Sequence, residues 1–335
     1  MSASQPLHVR LRTALLFGEA GVLPGLFLLL ILLLVLTQPH FLAGQNIVNV
    51  LRNASFLVIA ASGQMLVLIV GGFDLSIGAV IALTSVVSAS AMAGMPAAGI
   101  HGTLAVSVLG VLAGLGSGLA VGLFNAVSVA VLRVPPFMAT LGSMSIADGL
   151  GLLLTNGIPV YGMPDRYVAL VGRAIVFGLP IALYAAVVVG GLLWCMLNLT
   201  RVGRYIYASG GNLQAAAVSG INTRGMLVLA YVLSSLLASL TGLLLTAEIG
   251  SGQATTGDSL MLESLAAAVL GGVSLRGGVG RVELVALGAI FLLTLTNAMD
   301  LMHVDTRLQL IVLGCVLALA VSTEVLGRRR QSVRV

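Results

Sequence analysis

From Val22 onward the chain is a succession of apolar runs separated by short polar breaks, near residues 22–37, 54–70, 76–95, 103–124, 137–155, 176–197, 226–246, 262–274, 282–299 and 308–326. A helix rises about 1.5 Å per residue, so roughly 20 apolar residues cross a hydrocarbon core of about 30 Å. Within that core every backbone N–H and C=O must be bonded inside the protein, which leaves helices and closed barrels as the spanning structures. Runs of this length predict helices. The fold class is therefore an all-α integral membrane protein of about ten transmembrane helices, and residues 1–335 read as one transmembrane domain. The run at 262–274 is too short to cross alone and reads as a tilted, broken or re-entrant segment packed inside the bundle.

Charge sharpens this reading. Only 8% of residues are charged, against about a quarter in soluble domains. All 16 basic residues are arginine. Without lysine the chain has neither a Gly-Lys-Ser/Thr phosphate loop nor a Schiff-base amine, so its energy must come from a partner or a gradient. Cytoplasmic loops carry the excess of positive charge. With the N-terminus inside, Arg10, Arg12, Arg133, Arg201, Arg204, Arg224, Arg276, Arg281, Arg328, Arg329, Arg330 and Arg334 fall inside, and Arg52, Arg166, Arg173 and Arg307 fall outside. Twelve against four predicts cytoplasmic termini and an even number of spans. The net charge of +5 is explained by orientation, so nucleic acid is not expected as a partner. Arg10 and Arg12 ahead of a long apolar run, with no small-residue cleavage site close behind it, predict an uncleaved first span.

Catalytic chemistry finds little material. His8, His40, His101 and His303 sit near predicted ends or loops, and neither metal-ligand spacing nor a nucleophile–base pair emerges. Cys195 and Cys315 lie in apolar runs and read as small core residues. Gly110, Gly114, Gly118 and Gly122 recur every four residues and put four missing side chains on one helix face, a packing seam for close helix approach in lipid. The Gly114-Leu115-Gly116 portion looks like part of a dinucleotide loop but lacks the strand and turn that such a loop requires. The pattern Gly71-Gly72-x-x-Leu75-x-x-Gly78 recurs as Gly271-Gly272-x-x-Leu275-x-x-Gly278, a hint of the internal repeats found in transporters.

Polar residues between or within the spans are the candidates for a translocation pathway. Asp74 and Ser76 sit in the break Gly71–Gly78. They either cap the third span or present a carboxylate to a polar solute. Asn125, Thr140 and Ser143 read as interhelical hydrogen-bond partners or pathway groups. Asp148, deeper in its span, should face protein, water or a partner rather than lipid. The longest inside loop, about 199–225, holds the turn Gly210-Gly211-Asn212 followed by an Ala-rich helical stretch, which reads as a docking helix or a plain connector.

In that loop Gln214-Ala215-Ala216, three residues and Gly220 resemble the EAA-x3-G loop through which binding-protein-dependent importer permeases dock their ATPase, with Gln in place of Glu. More specifically, the chain resembles the ribose-type permease family of ABC importers. The resemblance is carried by GGFDLSIG (71–78), PPFMATLGSMSI (135–146), GRYIYASGGNLQAAAVSGIN (203–222) and LAAAVLGGVSLRGGVGRV (265–282), in family order. Two positions depart from that pattern: Asp148 stands where the family usually has a basic residue, and Met261 stands where it has the first acid of a pair, of which Glu263 remains.

The resemblance implies a fold similar to the membrane subunit of the vitamin B12 importer, in a bacterial inner membrane. It also implies a second permease subunit, identical or not, a periplasmic solute-binding protein, and cytoplasmic ATPase subunits that bind the ATP and Mg while this chain holds no cofactor. The docking loop would comprise Arg204, Gly210, Gly211, Asn212, Gln214, Ala215, Ala216 and Gly220, and the solute would be a small sugar or sugar-like molecule. A branched-chain amino-acid permease and a gradient-driven secondary transporter are the alternatives.

Overall fold

The computed structural model describes residues 23–332. Twelve α-helices of six residues or more follow one another in the described residues: α1 (Leu23–Thr37), α2 (Gly44–Ile69), α3 (Ile77–Gly94), α4 (Thr103–Ala126), α5 (Pro136–Thr155), α6 (Ile181–Leu199), α7 (Arg201–Gly211), α8 (Leu213–Val218), α9 (Thr223–Ile249), α10 (Asp258–Leu270), α11 (Val282–Leu301) and α12 (Thr306–Ser332). A π turn, Val127–Val131, prolongs α4, and Ile175–Val176 pairs antiparallel with Leu179–Pro180 in a minimal hairpin. Each apolar run of the sequence lies on one of these helices. Among the described residues seven are long and apolar enough to cross a membrane: α2, α3, α4 with its π turn, α5, α6, α9 and α11. The 13 residues of α10 reach only about 20 Å, which fits the expectation of a segment held within the bundle.

Helix α2 is the axis of the fold. Every residue from Ala54 to Ile69 is buried, because α6, α9, α10 and α11 pack around it. Over this stretch apolar residues occur on every side, so it has no lipid-facing preference and can occupy such a position. The amphipathic α7, by contrast, buries only Gly203, Ile206 and Ser209.

The glycine face of α4 meets α3 and α9. Gly110, Gly114, Gly118 and Gly122 are all buried. A Cβ on Gly114 would lie 3.1 Å from Thr84, Ser88 and Leu243, one on Gly118 would collide with the Ser239 hydroxyl, and one on Gly122 would lie 2.8 Å from Ser235 Cβ. Hydroxyls fill the remaining space and bond across it, Thr84 Oγ1 to Ser239 Oγ at 3.1 Å and Thr246 Oγ1 to Ser85 Oγ at 2.7 Å. Gly114 and Gly116 sit in mid-helix, which removes any phosphate-binding loop.

Helix ends meet in two groups. In one, Arg52 pairs with Glu248 at 3.2 Å, Arg173 Nε donates to the Glu248 carbonyl, Val160 bridges Gly252, and Asn46 and Asn297 exchange amide hydrogen bonds. In the other, Gly278 N donates to Ile69 O at 2.8 Å, Tyr207 Oη to Gly280 O at 2.7 Å, and Asn125 Nδ2 to Ser76 Oγ at 2.9 Å. The first group joins ends assigned outside by the arginine count, the second ends assigned inside. Arg10, Arg12 and Arg334 lie outside the described residues.

Two expectations are corrected. Cys195 and Cys315 are exposed on the bundle's outer surface, because an apolar run on an outer helix has a lipid-side face as well as a core face. The Gly-Gly-x-x-Leu repeat is out of step: the left-handed residue closing α2 is the first glycine, Gly71 (φ 80°), whereas α10 is closed by the second, Gly272 (φ 78°). The shared letters therefore occupy non-equivalent positions.

Replacing Gly118 with Leu should force α4 away from α9, since overpacking costs about 1–3 kcal/mol. Less folded protein should be recovered in detergent, with an earlier thermal transition. Leu119→Ala, on the exposed face, should change neither appreciably, and equal behaviour of the two variants would rule out a packing seam.

Candidate functional site

The loop between α6 and α9 folds into two short helices, each closed by local chemistry. Thr200 Oγ1 accepts from Gly203 N at the start of α7, Asn212 Oδ1 from Ala215 N at the start of α8, and Asn222 Oδ1 from Gly225 N at the start of α9, each satisfying an amide otherwise left free at a helix N-terminus. Gly220 ends α8 at φ 82°, a conformation that favours glycine. Outward from α8 point Leu213, Gln214, Ala215, Ala217 and Val218, the last 92% exposed. Arg204 is also exposed. Ala216 is not part of that outer face: it is 4% exposed, because one side of so short a helix must cover the body of the protein.

The C-terminal end of α7 is locked to the bundle by glycine. A Cβ on Gly210 would strike the Ile69 carbonyl and lie 2.7 Å from Gly278 N, and one on Gly277 would lie 2.7 Å from Gly210 O and 3.0 Å from Gly71 N. A Cβ on Gly278 would lie 2.7 Å from Gly211 Cα. Three backbone segments, the ends of α7 and α2 and the turn 277–278, thus touch without intervening side chains. Tyr207 fastens the same region through its bond to Gly280 O. Burial, and then the Glu283 carboxylate, push its phenol above the ordinary value. Gly277 and Gly278 lie within a stretch quoted for the family resemblance, yet sequence gave no reason to place them against Gly210.

Directly beyond Ile69 lies the break with Asp74. Its Oδ1 accepts from Ser76 N at 2.9 Å and Ser76 Oγ at 2.6 Å, and its Oδ2 from Ser234 Oγ at 3.2 Å. Ser76 Oγ in turn accepts from Asn125, and Tyr231 Oη donates to Phe73 O at 3.1 Å. Thr140 Oγ1 donates to Pro136 O and Ser143 Oγ to Thr140 O. Asp74, Ser76, Asn125, Thr140 and Ser143 are all buried at 3% exposure or less. The structure therefore brings Asp74, Ser76 and Asn125 into one buried network, which ties the start of α3 to α4 and α9. Tyr231 and Ser234 complete it; nothing in an apolar run marked them as partners. Asp148 stands apart on α5, partly exposed and within the electrostatic reach of Asp258. Among the described residues no group of three His, Cys, Asp or Glu could hold a metal ion.

Fold and loop together define a multi-pass helical membrane protein with a small exposed helical platform at one end of its bundle. The family described as branched-chain amino acid transport system / permease component matches residues 46–321. The ribose import permease of Bacillus subtilis (strain 168) is 38% identical over 304 residues, 90% of this chain and 91% of the relative. The ribose import permease of Escherichia coli (strain K12) is 38% identical over 89% of this chain and 91% of its own length. The D-allose transport system permease of the same organism is 32% identical over 86% of each. No solved structure matches. The chain belongs to the ribose-type permease family of binding-protein-dependent ABC importers.

Substituting Asp74 with Ala would leave Ser76 N–H and the Ser234 hydroxyl buried without their acceptor, at about 1–3 kcal/mol for each group. Thermal unfolding in detergent should shift down strongly for Asp74→Ala and less for Asp74→Asn, which keeps one acceptor oxygen. A variant as stable as the parent but defective only in transport would assign Asp74 to the solute instead.

Proposed function

We propose that this chain is the membrane-spanning permease subunit of an ATP-driven importer for a small sugar. The observation that carries the reading is its 38% identity, over nine-tenths of its length, to ribose import permeases. The family description also covers branched-chain amino-acid permeases, but the relatives aligned along the whole bundle carry ribose and D-allose in their names, which favours sugar. In this reading one transmembrane domain of ten apolar segments has both termini in the cytoplasm of a bacterial inner membrane, with a fold of the vitamin B12 importer type. It works beside a second permease subunit. A periplasmic binding protein delivers solute, and cytoplasmic ATPase subunits hold ATP and Mg. The chain performs no covalent chemistry and has no ATPase site of its own.

Coupling follows from the loop geometry. The platform of α8 offers small and apolar groups, Ala215, Ala217 and Val218, to a partner surface, with Arg204 and Gln214 at its margin. Movement of that platform reaches α2 and the Asp74 turn through the Gly210, Ile69 and Gly278 contact. Helix packing then changes and the pathway between the two permease subunits opens to the other side.

Ala217→Arg and Val218→Arg, on the outer face of α8, should insert normally but release the ATPase on co-purification and abolish uptake, since a bulky charge desolvated without a partner opposes binding. Ala216→Arg should instead lower the amount of folded protein. Full-rate uptake by both outer-face variants would leave the loop a plain connector. A reporter active only in the periplasm, fused after Val335, should stay silent, and full activity would overturn the orientation.

A further inference from the structure

The Asp74 network is buried, and exposed polar groups cluster elsewhere on the bundle. A cavity of about 240 Å³ opens between α2, α9, α10 and α11. Its polar lining is Asn53, Thr256, Ser259 and Glu263, with Phe56 and leucines supplying the apolar wall. The Ser259 hydroxyl lies beside the Glu263 carboxylate, whereas Thr256 Oγ1 is buried with no hydrogen-bond partner among the described residues. Asn53 and Ser259, both exposed, form the mouth. Leading to it along α2 is a stripe of exposed amides at four-residue spacing, Gln45, Asn49 and Asn53, with Gln45 Nε2 at 3.5 Å from Asn49 Oδ1.

Such a surface does not belong against hydrocarbon. Ionisable and strongly polar groups within membrane helices face water, protein or a cavity, and amide side chains pointing into lipid would lose their bonds to water. The contrast lies on another face of α2, where a groove of about 410 Å³ is walled by Ala54, Val58, Gly190 and Trp194 and is almost wholly apolar. A lipid chain suits that groove. It does not suit the first.

We propose that the Asn53, Thr256, Ser259 and Glu263 cavity is the outer subsite at which the permease receives its solute, a small neutral polyhydroxylated molecule of monosaccharide size. The volume is below the roughly 300–1,000 Å³ of sites for drug-sized ligands. Glu263 supplies acceptors only, Asn53 both donors and acceptors, and the two hydroxyls either. That inventory matches a ring of hydroxyl groups that each donate and accept, while Phe56 offers a face to the carbon side. The free Thr256 hydroxyl gains the bond it lacks. The cavity adjoins the Arg52–Glu248 end of the bundle, the end assigned outside, so solute would meet it before any inner part of the pathway. The subsite rests on the sugar-importer reading.

Two measurements test it. In a background with Cys195 and Cys315 replaced, Asn53→Cys and Ser259→Cys should react with a membrane-impermeant maleimide added outside right-side-out vesicles. Leu29→Cys, exposed on α1, should stay unreactive because a thiol in hydrocarbon forms no thiolate. In cells carrying the complete transporter, Thr256→Val and Glu263→Gln should raise the KM for uptake of labelled D-ribose or D-allose about tenfold, the effect of losing a hydrogen bond to a polar or charged group. Glu263→Asp should restore part of it, and the ATPase should still co-purify. Unreactive cysteines at both mouth positions, or unchanged KM in both lining variants, would overturn the subsite. Wild-type cells that accumulate no labelled monosaccharide from a panel including D-ribose and D-allose would overturn the sugar-importer reading beneath it.

Discussion

Close backbone approach at glycine is the interaction on which the rest of this structure depends. In hydrocarbon the hydrophobic effect does not draw helices together, so packing contact and interhelical hydrogen bonds must do so. Both need short distances. Along α4 the missing side chains of Gly114, Gly118 and Gly122 let Thr84, Ser235 and Ser239 come close enough to fill the seam and bond within it. With α3, α4 and α9 drawn together, the Asp74 carboxylate just beyond α2 can be met by Ser76 and Ser234, while α6, α9, α10 and α11 enclose α2 over Ala54 to Ile69.

A carboxylate enclosed this thoroughly is expensive unless every bond is made. Here three donors reach it, and one of them is the amide of Ser76, the residue immediately before α3. The arrangement serves as an anchor for a broken helix. It also redirects attention to the polar groups that remain open, which are clustered where α2, α10 and α11 meet at the other end of the bundle.

Much of the architecture was legible because lipid simplifies the code: length and hydropathy alone locate the helices, and the four-residue spacing of Gly110 to Gly122 names one packing face. The arginine count sorted the loops into two sets that the structure brings together as two ends. Less legible was anything that depends on direction within a helix. Ala215, Ala216 and Ala217 are one word in the sequence, yet the middle residue turns inward. Cys195 and Cys315 share an apolar context with buried residues but face out. Asp74 offered two readings, a cap or a solute ligand, and periodicity could not choose between them because the partners Ser234 and Asn125 come from distant segments. Thr256 and Ser259 drew no notice, since hydroxyls are common at helix starts and only the cavity gives them a shared purpose.

Side chains ordinarily act as cushions between structural elements: they change rotamer, and so absorb small displacements. Where Gly210, Ile69, Gly277 and Gly278 meet there are no cushions, only peptide groups in contact and one hydrogen bond 2.8 Å long between them. Such a joint has almost no slack. A fraction of an ångström of sliding by α7 must either carry the bonded ends of α2 and the 277–278 turn along or open the contact at Gly210, so the joint responds in steps rather than in proportion, as tightly packed contacts do. Its stiffness makes the two ends of α7 behave as one rigid lever, whose short arm ends on the helix that the whole bundle encloses.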